Sequence, residues 1–198
     1  MKNQIQERLR RNLARVRHLV ASYTLLAGAG QGRRPVNTSD LLRAATVFLH
    51  AALEDLLRSI ELWKLPAAGE DRLNQIALAG MTGRAEKFAL GKLASHRGKT
   101  VDALIAESVI QYLDRSNYND TEDIAAVLRL AGVIPEDVNR HFGQLSELMK
   151  RRHHIVHQAD KNERPGHGQF QARSIGTATV NRWLEAVETF AREVLDRL

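Results

Sequence analysis

The part of the sequence with the clearest chemical potential is a cluster of arginine and histidine near position 155. Two arginines and three histidines fall within residues 151–157, interrupted only by the apolar pair Ile155 and Val156. Arginine is a permanent cation whose planar fork of donors matches phosphate oxygens. Histidine, with an unperturbed pKa of about 6.5, gives or takes a proton near neutral pH. A nuclease that works without a metal ion needs these two residue types.

Cleavage of an RNA phosphodiester without metal places three demands on a protein. The ribose 2′-OH must lose a proton, the leaving 5′-oxygen must gain one, and the negative charge of the phosphorane must be neutralised. We expect His157 to transfer protons, because an imidazole near its unperturbed pKa serves as both acid and base. We expect Arg152 to bind the phosphate, because its guanidinium offers fixed donors to the equatorial oxygens.

Helical geometry makes the spacing of this pair informative. Five residues along an ideal helix turn through about 500°, which leaves about 140° between the directions of the two side chains. Arg152 and His157 therefore share a face only if the helix bends or ends near the cluster. His153 and His157, four residues apart, do share one. A homodimer in which two copies of the cluster meet across a two-fold axis solves the mismatch most simply.

Three other interpretations of the cluster are open at this point. His153 and His157 have the spacing of a helical zinc pair, although no HExxH glutamate stands between them and the chain has no cysteine. The cluster is also compatible with a plain basic helix end, which interacts favourably with the helix dipole. The third interpretation is a contact surface for RNA or a protein that carries no catalysis.

The composition describes the kind of protein that positions this cluster. A chain of 198 residues with 43% hydrophobic residues is sufficient for one domain with its own core. Its formal net charge of +6 is compatible with an anionic partner such as RNA. The absence of cysteine favours a reducing compartment. With no signal-peptide pattern and no apolar stretch of about 18 residues, the sequence predicts a cytoplasmic protein without a membrane span.

The hydrophobic pattern predicts an all-α protein. Apolar residues recur at helical spacing over four long segments, at about 5–26, 41–65, 135–158 and 179–198, and over shorter ones at 70–78, 84–93, 101–113 and 124–131. Polar loops are expected at 28–35 and 162–169. The residues expected to begin helices are Asn37, Thr38 or Ser39, then Thr100, then Asp120 or Thr121, and finally Thr179. We interpret residues 1–198 as a single domain with a helical insertion at about 66–100.

Two further features lie on the long helices. His50 and Glu54 are four residues apart on the second helix, hence on one face. They form either a solvent-side pair or a pair that approaches the cluster at 151–157. The first helix has an outer face that is either solvated or in contact with RNA, and this face carries Arg8, Arg10, Arg11, Arg15 and Arg17.

Residues 152–157, Arg-His-His-Ile-Val-His, resemble the RxxxxH motif of the HEPN superfamily of helical ribonucleases, in which a polar residue often follows the arginine. The surrounding sequence RRHHIVHQAD is similar to the RiboL-PSP type of HEPN domain. The segment 116–132 resembles the one that precedes the motif helix in that branch, and residues 49–54 of the second helix are similar as well. The resemblance covers about 40–60 and 113–160.

This resemblance implies a HEPN-like helical bundle that acts as an endoribonuclease without a metal ion or other cofactor. Its site would be composite, formed in a cleft by the motifs of two protomers of a homodimer. Arg152 and His157 match the catalytic positions, His153 matches a supporting polar position, and Glu54 matches a second supporting position less closely. Asp160 stands where the toxins paired with nucleotidyltransferases have a tyrosine, so adenylylation of such a tyrosine is not implied here.

Proteins of this kind act as toxins, in antiviral defence or in RNA processing, and a toxin implies an antitoxin or inhibitor protein as a partner. The sequence thus favours a dimeric ribonuclease that cleaves RNA by attack of the 2′-OH and leaves a 2′,3′-cyclic phosphate. The alternative is a non-enzymatic helical module that binds RNA or a protein partner through its basic faces.

Overall fold

Long α-helices make up most of the chain in the computed structural model, which describes residues 1–28, 36–81, 90–162 and 172–198. The α-helices are α1 (Lys2–Ala27), α2 (Val36–Lys64), α3 (Glu70–Leu73), α4 (Val101–Leu113), α5 (Thr121–Leu130), α6 (Phe142–Gln158) and α7 (Thr177–Arg197). Short 3-10 helices span Leu65–Ala67, Leu90–His96, Pro135–Asp137 and Asn139–His141. In these ranges the one β interaction is an isolated antiparallel bridge between Lys161 and Ala172. The predicted all-α class is confirmed.

None of the helices within the described ranges is both long enough and apolar enough to cross a membrane. The predicted loops at 28–35 and 162–169 lie mostly outside the described residues, and so does the first part of the helix predicted at 84–93.

Helix α2 is the element against which the others pack. It contacts α1, α4, α5, α6 and α7, and its apolar residues cover most of its circumference, as expected for a helix buried on several sides. Arg8, early in α1, pairs with Asp55 at 2.8 Å, late in α2, so these two helices run antiparallel. The fully buried apolar side chains of α2 are Leu42, Ala45, Leu49, Ala52, Leu53, Leu56, Leu57 and Ile60.

Two of the predicted helix starts are confirmed. The Thr100 hydroxyl accepts a hydrogen bond from the Ala103 N–H at 3.1 Å and begins α4 at the predicted residue. Asp120 caps α5 and accepts hydrogen bonds from the backbone N–H groups of Glu122 and Asp123. The Asp123 carboxylate accepts in return from the Asp120 N–H, which completes a capping box.

The caps predicted for α2 and α7 are wrong. Helix α2 already begins at Val36, so Asn37, Thr38 and Ser39 lie inside its first turns. The Asp40–Arg43 ion pair supports this polar first section, which carries no apolar periodicity. Helix α7 begins at Thr177, directly after Gly176, so that Thr179 is a residue of the first turn and not the cap.

Two predicted helices are shorter than expected. The helix predicted at 70–78 ends at Leu73 and buries none of its residues, and a helix this short is stable only with tertiary packing. The helix predicted from Pro135 begins only at Phe142, after two 3-10 turns. Val138 separates these turns because its backbone, at φ −127°, leaves the helical region while its side chain is fully buried.

A polar network ties the turn before α5 to α2. The Tyr118 hydroxyl donates to a carboxylate oxygen of Glu61, and Arg58 donates to the Ser116 carbonyl at 3.0 Å. Burial raises the pKa of Glu61, and the hydrogen bond from Tyr118 only partly opposes this effect. The segment that precedes α5 and α6 is therefore anchored to the central helix by named side chains.

The end of the core nearest the candidate site is formed by α6 and α7. The first half of α6 buries Leu145, Leu148 and Met149 against α2 and α7. Helix α7 buries the apolar stripe predicted for it, namely Trp183, Val187, Phe190, Val194 and Leu195. This packing buries one face of the first half of α6, and its last two turns carry the arginine–histidine cluster.

Candidate functional site

The arginine–histidine cluster occupies the last two turns of α6, and the helix does not end between Arg152 and His157. Their side chains therefore start about 140° apart within one chain. Arg152 stands three residues after Met149 and seven after Leu145, so it continues the buried face of the helix and is itself half-buried. His157 is exposed. One copy of the motif thus directs its cation and its exposed imidazole to different sides of α6.

The face shared by His153 and His157 is confirmed. Their ring centroids lie 4.7 Å apart with an angle of 43° between the ring planes. His154 points elsewhere, and its Nδ1 lies 2.6 Å from the Gln158 side-chain oxygen. In the described ranges, no group of three or more His, Cys, Asp or Glu side chains is arranged to hold a metal ion, so the His153–His157 pair gains no third ligand from them.

The helix end beyond His157 has an unusual backbone. Ala159 and Asp160 both adopt left-handed conformations, with φ of 49° and 54°. The Asp160 N–H donates to the His154 carbonyl at 2.9 Å, and this hydrogen bond closes the end of the helix. Two consecutive non-glycine residues in this region cost energy, so the surrounding contacts must hold them.

The contacts that hold this end converge on the Asp160 carboxylate, which is 1% exposed. Its Oδ2 accepts from Arg43 Nε and from Arg151 Nη2, both at 2.8 Å. The same two guanidiniums donate to the Arg173 carbonyl at 2.9 and 3.0 Å, and Arg151 also donates to the Ser174 carbonyl at 3.1 Å. We call Asp160, Arg43 and Arg151 the helix-end clamp.

The clamp separates the two adjacent arginines of the cluster by role. Arg151 is directed towards the helix end and is used structurally, whereas Arg152 takes no part in these contacts and its charge instead lowers the pKa of Glu54 on α2. Sequence reasoning missed Arg43 and the structural role of Asp160. The only signal was an aspartate two residues after the last helical residue, and one of its two partners, Arg43, comes from a distant position in the chain.

The clamp leads to a prediction about stability. Asp160→Ala is expected to lower the free energy of unfolding by about 3–5 kcal/mol, because it leaves two mostly buried guanidiniums without their shared carboxylate. Urea denaturation followed by circular dichroism, at one fixed protein concentration, measures the change. Asp196→Ala, which alters an exposed aspartate of α7, is the matched control and should change stability by no more than about 0.5 kcal/mol. A loss below about 1 kcal/mol for Asp160→Ala would contradict the clamp.

His50 and Glu54 lie on the side of α2 that faces the cluster. His50 is 1% exposed, so the interpretation as a solvent-side pair is wrong for it. Its Nδ1 lies 3.5 Å from Glu54 Oε2, which is longer than a good hydrogen bond. Burial raises the pKa of Glu54, but His50 and the positive charges of Arg152 and Arg58 outweigh burial and hold that pKa below its ordinary value.

The arginine-rich outer face of α1 is largely neutralised by carboxylates, which favours its interpretation as a solvated surface. Exposed ion pairs of this kind contribute little to stability, at most about 1 kcal/mol each. The ion pairs are Arg8 with Asp55, Arg10 and Arg11 with Glu7, and Arg17 with Glu188.

The candidate site therefore combines a half-buried guanidinium, whose charge acts on the Glu54 carboxylate, with a pair of neighbouring, tilted imidazoles on another face of the same helix. Such groups can bind a phosphate and exchange protons with it. No protein-family model, curated protein or solved structure matches this chain. The functional interpretation consequently depends on the residues themselves and on the motif they resemble.

Proposed function

We propose that this protein is a metal-independent endoribonuclease of the HEPN type, with Arg152 and His157 as its catalytic residues and His153 and Glu54 in support. The observation that carries the proposal is that some side chains at the end of α6 stabilise the helix end and others do not. Arg151 is committed to the helix-end clamp, and His154 bonds back to Gln158. Among the described contacts neither Arg152 nor His157 serves the helix end, although each lies within a residue or two of those that do.

The proposed reaction is an in-line displacement at phosphorus. His157 takes the proton of the ribose 2′-OH as the 2′-oxygen forms its bond to phosphorus, and the bond from phosphorus to the 5′-oxygen breaks. The leaving 5′-oxygen receives a proton from solvent water as the bond breaks. Arg152 neutralises the charge that develops on the equatorial oxygens. The products are a 2′,3′-cyclic phosphate and a 5′-hydroxyl.

A homodimer is part of this proposal because one helix cannot direct both groups to one phosphate without a large reach. A second copy placed across a two-fold axis would set Arg152 of one chain against His157 of the other. Val156 supports this arrangement. It follows Arg152 by four residues, hence lies on nearly the same face, and it is an apolar side chain that is 48% exposed. A second protomer would cover it.

The resemblance also suggests the cellular role. We propose a cytoplasmic toxin or antiviral-defence effector that acts on RNA and is restrained by an antitoxin or inhibitor protein. The formal net charge of +6 is compatible with an RNA substrate.

The test is an RNA cleavage assay in excess EDTA. The purified protein is expected to cleave an end-labelled RNA and to leave 2′,3′-cyclic phosphate ends. A matched oligonucleotide with 2′-deoxyribose at the cleaved position should resist cleavage there, because the nucleophile is missing. Salt-sensitive RNA binding without any product would favour the non-enzymatic module instead. Cleavage that stops on chelation, or that leaves a 5′-phosphate, would overturn the proposed chemistry.

A further inference from the structure

The most unusual buried side chain outside the motif is His50, in the middle of α2. It is 1% exposed, and within the described part of the chain neither of its ring nitrogens has a partner in hydrogen-bonding geometry. Buried polar groups in folded proteins are nearly always hydrogen-bonded, since an unpaired one lowers stability. A leucine at this position would fill similar space without that cost. Packing alone therefore does not explain the histidine.

The position of His50 on α2 provides the explanation. Arg43, His50 and Glu54 follow one another at intervals of seven and four residues, so they form one stripe along the helix. Arg43 at the start of this stripe contacts Asp160, just beyond the end of α6, and Glu54 lies within the field of Arg152. The stripe is thus the face of α2 that packs against α6, in antiparallel orientation.

We infer that His50 is a positioning residue for the proposed ribonuclease site: it restrains the Glu54 carboxylate on the face of α2 that packs against α6, and the charge of Glu54 in turn orients the Arg152 guanidinium. This inference rests on the proposed function. His50 is too deeply buried to touch an RNA phosphate, so it acts through Glu54. Its Nδ1 lies 3.5 Å from Glu54 Oε2, within ion-pair distance although outside hydrogen-bonding geometry, and Glu54 is itself only 24% exposed.

The charges around Glu54 agree with this role. Burial of the carboxylate favours its neutral form, yet the groups facing it from α2 and α6 are His50, Arg58 and Arg152, all of which favour its anion. An ionised Glu54 has two oxygens, of which Oε2 is the one near His50. A carboxylate restrained on one side keeps its negative charge in one place, and that charge attracts the Arg152 guanidinium between the packed helices α2 and α6.

The decisive variants are His50→Leu and His50→Asn. Leucine removes both ring nitrogens at similar volume, so we expect an unchanged or higher Tm together with a decrease in kcat on the order of tenfold and little change in KM. The asparagine amide nitrogen occupies roughly the place of Nδ1, so His50→Asn should recover most of the lost kcat. A merely structural histidine predicts the reverse pattern, with a lower Tm for leucine and no advantage for asparagine. That pattern would overturn the inference.

A double substitution tests whether His50 acts through Glu54. Glu54→Gln keeps the size of the side chain but removes its charge, and we expect it to lower kcat about as much as His50→Leu does. If the two residues act in series, the doubly substituted protein should be no slower than Glu54→Gln alone. Fully multiplied losses would show that the two residues act independently, and they would contradict the inference.

A measurement without RNA separates this inference from the proposed function. The pKa of the Glu54 carboxyl, followed by NMR, should rise in His50→Leu and in Arg152→Ala relative to the unaltered protein. If the protein cleaves no RNA but the pKa of Glu54 rises in both variants, the proposed function fails while the positioning contact stands. If RNA is cleaved and His50→Leu changes neither kcat nor the pKa of Glu54, the proposed function stands and the inference fails.

Discussion

Replacing Arg152 by alanine is expected to lower the rate of RNA cleavage at least about a hundredfold, and replacing His157 by alanine is expected to do the same. Loss of a donor to the developing phosphorane charge and loss of a general acid–base each carry an effect of about this size. Neither variant should lose much stability, because His157 is exposed and Arg152 lies outside the helix-end clamp. Initial rates on one RNA substrate in EDTA, together with Tm values, provide the measurement.

The chain offers matched controls for both substitutions. Arg192→Ala and His18→Ala remove the same side chains from exposed positions on α7 and α1, and both should retain nearly full activity. Arg151→Ala is the more demanding comparison, since it alters the neighbouring arginine. It should lower stability through the clamp, and the fraction that stays folded should still cleave RNA. More than a tenth of the normal rate in Arg152→Ala or His157→Ala would contradict the catalytic assignment.

The helices were predictable because their signal is repetitive. The apolar stripe of α7, with Trp183, Val187 and Phe190, is read directly from the spacing of apolar residues, and all of these side chains are buried. The polar ends of helices carry no such repeat. The first turns of α2 before Leu41 therefore escaped prediction, and Asp120 succeeded as a cap because aspartate has a specific capping chemistry.

The candidate site was predictable in its residue types but not in its division of roles. Arg151 and Arg152 are the same residue type at adjacent positions, so the sequence alone does not distinguish their roles. Only the hydrogen-bonding partners of each guanidinium do so. Those partners include Asp160 nearby and Arg173 beyond residues 163–171, and the burial of Asp160 also requires Arg43 from α2. Such contacts depend on how α2 packs against α6, which a local pattern does not encode.

The environment of His50 was likewise not predictable from the sequence. Its spacing to Glu54 was enough to predict that the two lie on one face of α2, but two environments were compatible with that face. In the structure the imidazole is buried, on a helix that packs against several others, so the solvent-side environment is excluded. A histidine on an otherwise apolar helix is thus ambiguous until its neighbouring helix is known.

Mixing two inactive variants is expected to restore cleavage if the site is composite. In a heterodimer of an Arg152→Ala chain and a His157→Ala chain, one protomer supplies His157 and the other supplies Arg152. One complete pair therefore remains, with its members on different protomers, which fits the separation of about 140° within one helix. Random pairing gives about half heterodimers, so the mixture should recover a substantial part of the normal rate from two preparations that are nearly inactive alone.

Differently tagged chains allow the heterodimer to be isolated, and its elution at twice the 22.2 kDa chain mass verifies that it has formed. The matched control pairs the Arg152→Ala chain with a chain that carries both substitutions. This heterodimer has no Arg152 on either side and should stay inactive. If the verified Arg152→Ala/His157→Ala heterodimer is as inactive as the control, the two groups do not complement each other across the interface. The protein and both variants could also prove to be monomers. If the unaltered monomer then cleaves RNA, both groups act within a single chain, and Arg152 must reach around α6 to meet the phosphate.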